Sequence, residues 1–515
     1  MSSRHSRPPD NALVTVHGVS PTCPNLQSEC HKRKSRKDFA LLHLGANKDS
    51  QNIHFDWRRY MKNVEPDRDT TQSTRSRIPG WRTVILTGLL ALSFAFSYMD
   101  RQIFPLLIEP IRHSYGLSDT QIGALQGLAF SAFYACAGIP LGWLVDRYRR
   151  VSIAAACVAA WGLATASCGL CGSFGQFFVA RAGTAIGEAG CSPASYSLLS
   201  DMLTGRALLR ATSVYNTGPY VGGGMALILG SSTLHYFNGT GGATLPLVGR
   251  VDAWQAVFVV LGLPGLLLAA FILMLREPKR RESGNQHMDI STLATIKVLF
   301  GSSQLMTYYA GWIFISSGLF VLLTWFPSVM IREGFGTASA IGRPLGVLFL
   351  AVGLSGCVLS QFLLRKLDNT DLVSPLLRRL TIVIALQIPL VVAFTFIDTV
   401  TVAYWFYGCA VATFSVLTTF MVTPIQLGVP NRMRGRATGL FLLSNYMIGA
   451  SIGPAAVGKL SDLMKSNPHG LTNAFVIVLC VSSVGAALLM YLSSTKRTVV
   501  TAAALSRGQV LSGNP

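Results

Sequence analysis

The stretch Gly142-Trp143-Leu144-Val145-Asp146-Arg147-Tyr148-Arg149-Arg150 lies between two long apolar runs, 119 to 143 and 151 to 172. An apolar run of about 20 residues crosses a bilayer as a helix, so this charged stretch reads as a short loop between two spans. A carboxylate followed at once by guanidiniums can cap a neighbouring helix N-terminus while pairing with an acid at another helix's C-terminus. Asp201, just after a later apolar run, is the candidate acid. A bare excess of positive charge would account for the arginines but not for the Asp set among them.

Working outward from this loop, apolar runs recur nearly from end to end. The expected spans are 82 to 106, 119 to 143, 151 to 172, 176 to 200, 211 to 235 and 253 to 275, then 304 to 329, 339 to 363, 377 to 397, 400 to 426, 437 to 458 and 472 to 494. The expectation is an all-α membrane protein of twelve transmembrane helices in two six-helix bundles, 81 to 275 and 304 to 495, a duplicated layout. A polar middle loop, 276 to 303, divides them, and 496 to 515 forms a tail. Residues 1 to 80, polar and basic, read as a disordered tail. Contact with anionic headgroups, or a true start at Met61, are the other readings of that tail. It lacks a continuous apolar stretch, so helix 1 is expected to target the chain itself.

Composition agrees. Half of the 515 residues are hydrophobic and 13% are charged, where a soluble domain carries about 25%, which excludes an ordinary soluble enzyme. Lys and Arg outnumber Asp and Glu by 43 to 23. In a membrane protein that excess reports orientation rather than a nucleic-acid partner. One set of loops holds Arg147, Arg149, Arg150, Arg206, Arg210, Arg276, Lys279, Arg280, Arg281, Lys297, Arg365, Lys366, Arg378, Arg379, Arg432, Arg434 and Arg436; the opposite set holds only Arg112, Arg250, Arg332, Arg343, Lys459 and Lys465. The richer set is expected in the cytoplasm, with both termini. The cysteines, including Cys168 and Cys171, read as small packing residues, a periplasmic disulfide or metal pair being the other reading of those two.

The 142–150 loop resembles the loop signature of the major facilitator superfamily, although Arg149 stands where that signature has Gly. The second-half counterpart, 356 to 366, keeps Arg365 and Lys366 but has Ser360 in place of the acid. Tyr98-Met99-Asp100-Arg101-Gln102, Leu117-Ser118-Asp119-Thr120-Gln121, and Ala180-Arg181 through Gly187-Glu188-Ala189-Gly190 followed by Pro193 resemble the Spinster branch of that superfamily. The resemblance implies a proton-linked carrier for a small-molecule or lipid-like substrate of lysolipid or sphingoid type. It implies a cytoplasmic gate made by Asp146, Arg147, Arg150 and Asp201. A bacterial inner membrane is the expected location, membrane lipid the surroundings, and a monomer the expected state.

Four charged groups fall inside two helices, and each ionised side chain at mid-bilayer costs on the order of 2.5 to 3.5 kcal/mol. At a rise of about 1.5 Å per residue, Asp100 lies about 25 Å along helix 1, near the outer interface. Counting down helix 4 from outside, Arg181 lies roughly 7 Å deep and Glu188 roughly 18 Å deep. Arg181 and Glu188 are seven residues apart and share a face. With the resemblance placing helices 1 and 4 at the central cavity, Asp100, Arg101, Arg181 and Glu188 are expected to form one polar network. A carboxyl in low dielectric prefers its proton, and one beside a guanidinium gives it up. Glu188 is therefore read as the proton carrier, Arg181 as its tuner and Asp100 as a competitor for Arg181. A structural ion-pair set that only orients helices is the other reading.

In the second half, Tyr308, Tyr309 and Trp312 of helix 7, with Asn445 and Tyr446 of helix 11, are candidates for contact with an amphipathic substrate, the other reading of the aromatics being plain interfacial or core residues. Gly218-Pro219 through Gly224, and Gly449 through Gly453-Pro454, read as packing and hinge elements. No intramembrane His pair or Walker loop is present, so neither hydrolysis nor ATP-driven transport by this chain is expected. No cofactor, metal or nucleic acid is expected. The rival readings are a carrier for small organic anions or drugs, and a transport-dead receptor of the same fold.

Overall fold

The computed structural model describes residues 80–245, 249–280, 292–364, 372–396, 398–429 and 434–496. The two tails read from the sequence lie outside these residues, apart from Gly80 and Lys496 at their inner edges, as do 281–291 of the middle loop and the basic positions Arg365, Lys366 and Arg432. The architecture is twelve helical segments in two bundles. The first half holds α1 (Trp81–Tyr115), α2 (Asp119–Arg147), α3 (Arg150–Cys168), α4 (Phe174–Ala189 continued by Cys191–Met202), α5 (Gly205–Tyr215 continued by Gly218–Gly239) and α6 (Ala253–Leu273). The second half holds α7 (Ser303–Arg332), α8 (Ala338–Leu363), α9 (Val373–Phe396), α10 (Val400–Gly428), α11 (Ala437–Leu463) and α12 (Gly470–Thr495). Ten of the twelve are long and apolar enough to cross a membrane, and the exceptions, α4 and α5, are each divided in two.

Local sequence explains these boundaries. Helix α1 runs nine residues past the end expected at 106, because Ile108 and Ile111 continue its buried face. It stops at Gly116, whose φ of 63° is easy only for glycine and whose N–H bonds the Arg112 carbonyl. Ser118 and Gln121 then form a capping box that starts α2. Helix α4 breaks at Gly190, three residues before Pro193. Two spans carry a wide π turn: α2 at Leu125–Ala129 and α11 at Asn445–Gly449. Within the stretch read as a polar middle loop, Thr292–Gly301 is helical, and Ser302 caps α7 by accepting from the Leu305 N–H.

Inside the halves, α5 packs on α1, α3 on α4 and α6, and α12 on α7 and α9. Between the halves, α5 packs on α8, α2 on α11 and α1 on α7. The seams between halves run over glycine. A Cβ on Gly127 would lie 2.7 Å from the Ser451 carbonyl oxygen, and one on Gly224 2.8 Å from that of Gly346, so the backbones touch. A small antiparallel hairpin, β1 (Ala243–Leu245) and β2 (Gly249–Val251), follows α5 on the end of the bundle that carries Gly116.

Candidate functional site

Ser97 and Arg101 stand one helical turn apart on α1 and both reach the same oxygen of Glu188 on α4. The Ser97 hydroxyl donates to Glu188 Oε2 at 2.9 Å, and Arg101 Nε and Nη2 each lie 2.6 Å from it. Asp100, the neighbour of Arg101, is turned by about 100° around the same helix and faces α3 and α4 instead. Its Oδ1 accepts from Thr165 Oγ1 at 2.7 Å and its Oδ2 from Arg181 Nη1 at 3.0 Å. The four charged residues therefore come together as two ion pairs, Glu188 with Arg101 and Asp100 with Arg181. This corrects the expected pairing of Glu188 with Arg181: two turns of α4 separate the two, while α1 presents an arginine and an aspartate to different levels of it.

The network is largely buried and balanced. Asp100, Arg181 and Glu188 are buried, and Arg101 alone keeps partial exposure, 11% of its side chain. Two positive and two negative groups cancel, which makes their burial tolerable. Yet Glu188 Oε1 and Arg181 Nη2 are buried with no hydrogen-bond partner among the described residues. Rings complete the setting. The Arg101 guanidinium lies 5.4, 5.0 and 5.1 Å from the ring centres of Tyr98, Phe130 and Tyr134, and Arg181 lies 5.3 Å from Phe104 and 5.7 Å from Phe130. Each such contact contributes about 0.5 to 2 kcal/mol when desolvated. Phe130 thus touches both cations. Sequence reading missed these rings, whose signal was only an aromatic pair one turn apart at 130 and 134.

The 142–150 loop behaves differently from its expected form. Arg150 is fully buried and pairs with Asp201, and its Nε donates to Glu277 at 2.9 Å. Glu277 in turn accepts the Arg150 and Val151 backbone N–H groups at 3.1 and 2.9 Å, so it caps α3. The expected cap was Asp146, but that residue is exposed, and among the described residues the contact it makes to this cluster is through its backbone carbonyl, which accepts from Arg280. Arg280 also donates to the Val145 and Tyr148 carbonyls, capping the end of α2. Arg147 is exposed and stacks 4.3 Å over Trp143. These named contacts join elements of the first half to one another. Glu277 was missed because it lies outside any apolar run, although an acid directly after span 6 is a visible signal.

In the second half, the Tyr308 hydroxyl donates to the Met421 carbonyl at 2.8 Å and that of Tyr309 to Leu440 at 3.2 Å, holding α7 to α10 and α11. Trp312 and Asn445 are buried, and both side-chain polar atoms of Asn445 have no hydrogen-bond partner among the described residues. The Tyr446 side chain lies outside the described residues.

A cluster absent from the sequence reading ties the halves together at the Gly116 end. Arg332, last residue of α7, donates to Glu109 at 2.9 Å and to both oxygens of Asp119 at 2.7 and 2.6 Å. Ser461 of α11 donates to Asp119 at 2.6 Å, and Asp462 accepts from the Thr120 N–H at 2.8 Å and its hydroxyl at 2.5 Å. Nearer the other end, Tyr220 and Thr418 share one neutral hydrogen bond across the halves.

The family model described as the Major Facilitator Superfamily matches residues 90–454. An "MFS-type efflux pump" of Mycolicibacterium smegmatis is 26% identical over 418 residues, covering 79% of this chain and 92% of that protein. A "Probable L-galactonate transporter" of Escherichia coli is 24% identical, covering 83% and 92%. Among solved structures, a bacterial homologue of the human lysosomal transporter Spinster, in an inward-facing and unoccupied conformation, superposes with a TM-score of 0.69 at 25% identity over 81% of this chain and 98% of that one.

Proposed function

The chain belongs to the Major Facilitator Superfamily, on its Spinster-like branch, and from that premise we propose a proton-coupled carrier that moves a small amphipathic molecule of lysolipid or sphingoid type by alternating access. Secondary transport as such, and a role other than an enzyme's, follow from the family. The driving ion and the cargo are the proposal.

One observation carries the proton reading: Glu188 is buried in the middle of α4, with one oxygen held by Arg101 and Ser97 and the other without a hydrogen-bond partner among the described residues. A proton on Glu188 cancels its charge and releases the Arg101 guanidinium, the one member of the network that is partly exposed. Arg101 can then bind an anionic headgroup, so proton uptake and substrate binding become one event. Asp100 and Arg181 remain paired beside it and hold α1 and α4 in register. Trp312 Nε1 and Asn445 supply further polar groups from the second half. The Arg150–Asp201–Glu277 cluster, with Asp146 and Arg147 on its rim, braces the first-half side of the cytoplasmic gate. Loop charges put this gate inside and the Gly116 end outside, so the Arg332 cluster closes the outer end. The same charges put both termini in the cytoplasm.

A second reading, a carrier of small organic anions, is favoured by the same partly exposed Arg101 and by the likeness to a probable galactonate carrier. Uptake into proteoliposomes under an imposed pH gradient tests the mechanism, with labelled lysolipids and sugar acids as separate cargoes. Glu188→Gln is expected to lose at least about tenfold of gradient-driven uptake, the scale of removing a group engaged in proton transfer. Full gradient-driven uptake by this variant would remove Glu188 from the proposal.

A further inference from the structure

Helix α2 leaves regular α geometry directly ahead of the ring that touches both buried cations. The Phe130 N–H donates to the Leu125 carbonyl, five residues back, and to that of Gly127, as a wide π turn requires. The Gly127 carbonyl also accepts the Ser451 hydroxyl of α11 at 3.3 Å. One carbonyl is therefore shared between the backbone of Phe130 and the second half of the molecule.

The extra residue of the wide turn sets the direction of the side chains that follow it. Closing it to a regular α turn would swing Phe130 by about 100° relative to Gly127, off the guanidiniums. As it stands, the ring centre lies 5.0 Å from the Arg101 guanidinium and 5.7 Å from that of Arg181. It also stacks on Tyr134 at 6.3 Å, and the Tyr134 ring lies 5.1 Å from Arg101. Arg101 is the partly exposed member of the network, so its ion pair and these rings together oppose its turning to water. We propose that Phe130 is a positioning residue, which keeps Arg101 on Glu188 while the seam between α2 and α11 is closed and releases it when the seam parts.

The consequence for transport rests on the proton-coupled reading; the placement of Arg101 does not. Parting the seam takes the Ser451 hydroxyl from the Gly127 carbonyl and leaves the wide turn free to close, which carries Phe130 away from Arg101. Arg101 then becomes available to an anionic cargo, and a carboxylate that loses its counter-charge binds a proton at higher pH. The ionisable groups facing Glu188 are Arg101 and Asp100 from α1 and Arg181 and Cys191 from α4, with Cys168 of α3 beside Asp100 and Arg181. Helix α2 brings the Phe130 and Tyr134 rings to this network, and through them the second half acts on it.

The test uses the full chain in lipid nanodiscs. Phenylglyoxal, which modifies guanidiniums, probes Arg101 at fixed pH, with its rate there read by mass spectrometry. The infrared band of the protonated Glu188 carboxyl, identified by its loss in Glu188→Gln, reports the pH at which that group titrates. Phe130→Leu should raise the Arg101 rate about two- to fivefold and move the Glu188 titration up by about half a pH unit, the scale of one lost ring contact. Phe130→Tyr, which keeps the ring, should behave as the wild type. Gly127→Ala parts the seam, since its Cβ would lie 2.7 Å from the Ser451 carbonyl oxygen and 3.1 Å from Ser451 Cα, and should reproduce both changes. Ser451→Ala, a milder change, should give a smaller effect of the same sign. Added to Phe130→Leu, Gly127→Ala should change nothing further, because both act through one ring. An unchanged Arg101 rate in Phe130→Leu, or additive effects in the double variant, would overturn the proposal. A faster Arg101 reaction in Phe130→Leu, with no titration of Glu188 in any variant, would leave Phe130 its positioning role and remove the proton reading instead.

Discussion

At the scale of single residues, the structure separates two ion pairs that the sequence presents as one set of charges. Asp100 and Arg181 are both 3% exposed, so loss of one partner strands the other in low dielectric. Asp100→Asn is expected to destabilise by about 3 to 5 kcal/mol, the usual cost of breaking a buried pair. The double variant Asp100→Asn with Arg181→Gln removes the stranded charge and should recover part of that loss. Thermal unfolding of both variants measures the difference, and a double variant less stable than the single would contradict it. Sequence position alone identified the neighbourhood of these four groups, since a charge in a long apolar run is conspicuous. It could not choose partners, because adjacent residues on a helix point about 100° apart and the choice depends on how α1 is rotated against α4.

At the scale of elements, α2 and α11 face each other with a π turn in each, and the seams beside them are lined with glycine. A π turn widens the helix locally and frees carbonyls; here Ser451 Oγ donates to the Gly127 carbonyl at 3.3 Å across the halves. On α5, Gly224→Val would set its Cβ 2.7 Å from Leu350 Cβ and 2.8 Å from the Gly346 carbonyl oxygen. Backbone cannot yield there as a flexible side chain would, so α5 and α8 must separate. Spin labels on the ends of α5 and α8 nearest Gly116 should then report a longer distance, and uptake should fall. An unchanged distance would mean that the seam tolerates the side chain. The glycines were visible as packing elements in the sequence, but their partners in the other half were not, since no local pattern records which helices of a duplicated chain meet.

At the scale of the whole molecule, the ion pairs named across the halves gather around Arg332 at the Gly116 end, while Arg150 serves the first half. Arg332→Ala should loosen the Gly116 end. Labels on α2 and α11 should move apart in a larger fraction of molecules, and the effect should exceed that of Lys465→Ala, whose contact with Asp462 is exposed. Equal effects of the two would deny Arg332 a closing role. The sequence by itself determined the twelve segments, their division into two halves and the placing of charge inside them, because a bilayer makes apolar length and buried charge costly enough to be read one residue at a time. Only the tertiary structure decided that Glu188 meets Arg101, that Glu277 rather than Asp146 caps α3, and that Arg332 joins Glu109 and Asp119, residues more than 200 positions away. Such partners are fixed by helix rotation and by which faces pack, and these depend on every neighbouring segment at once.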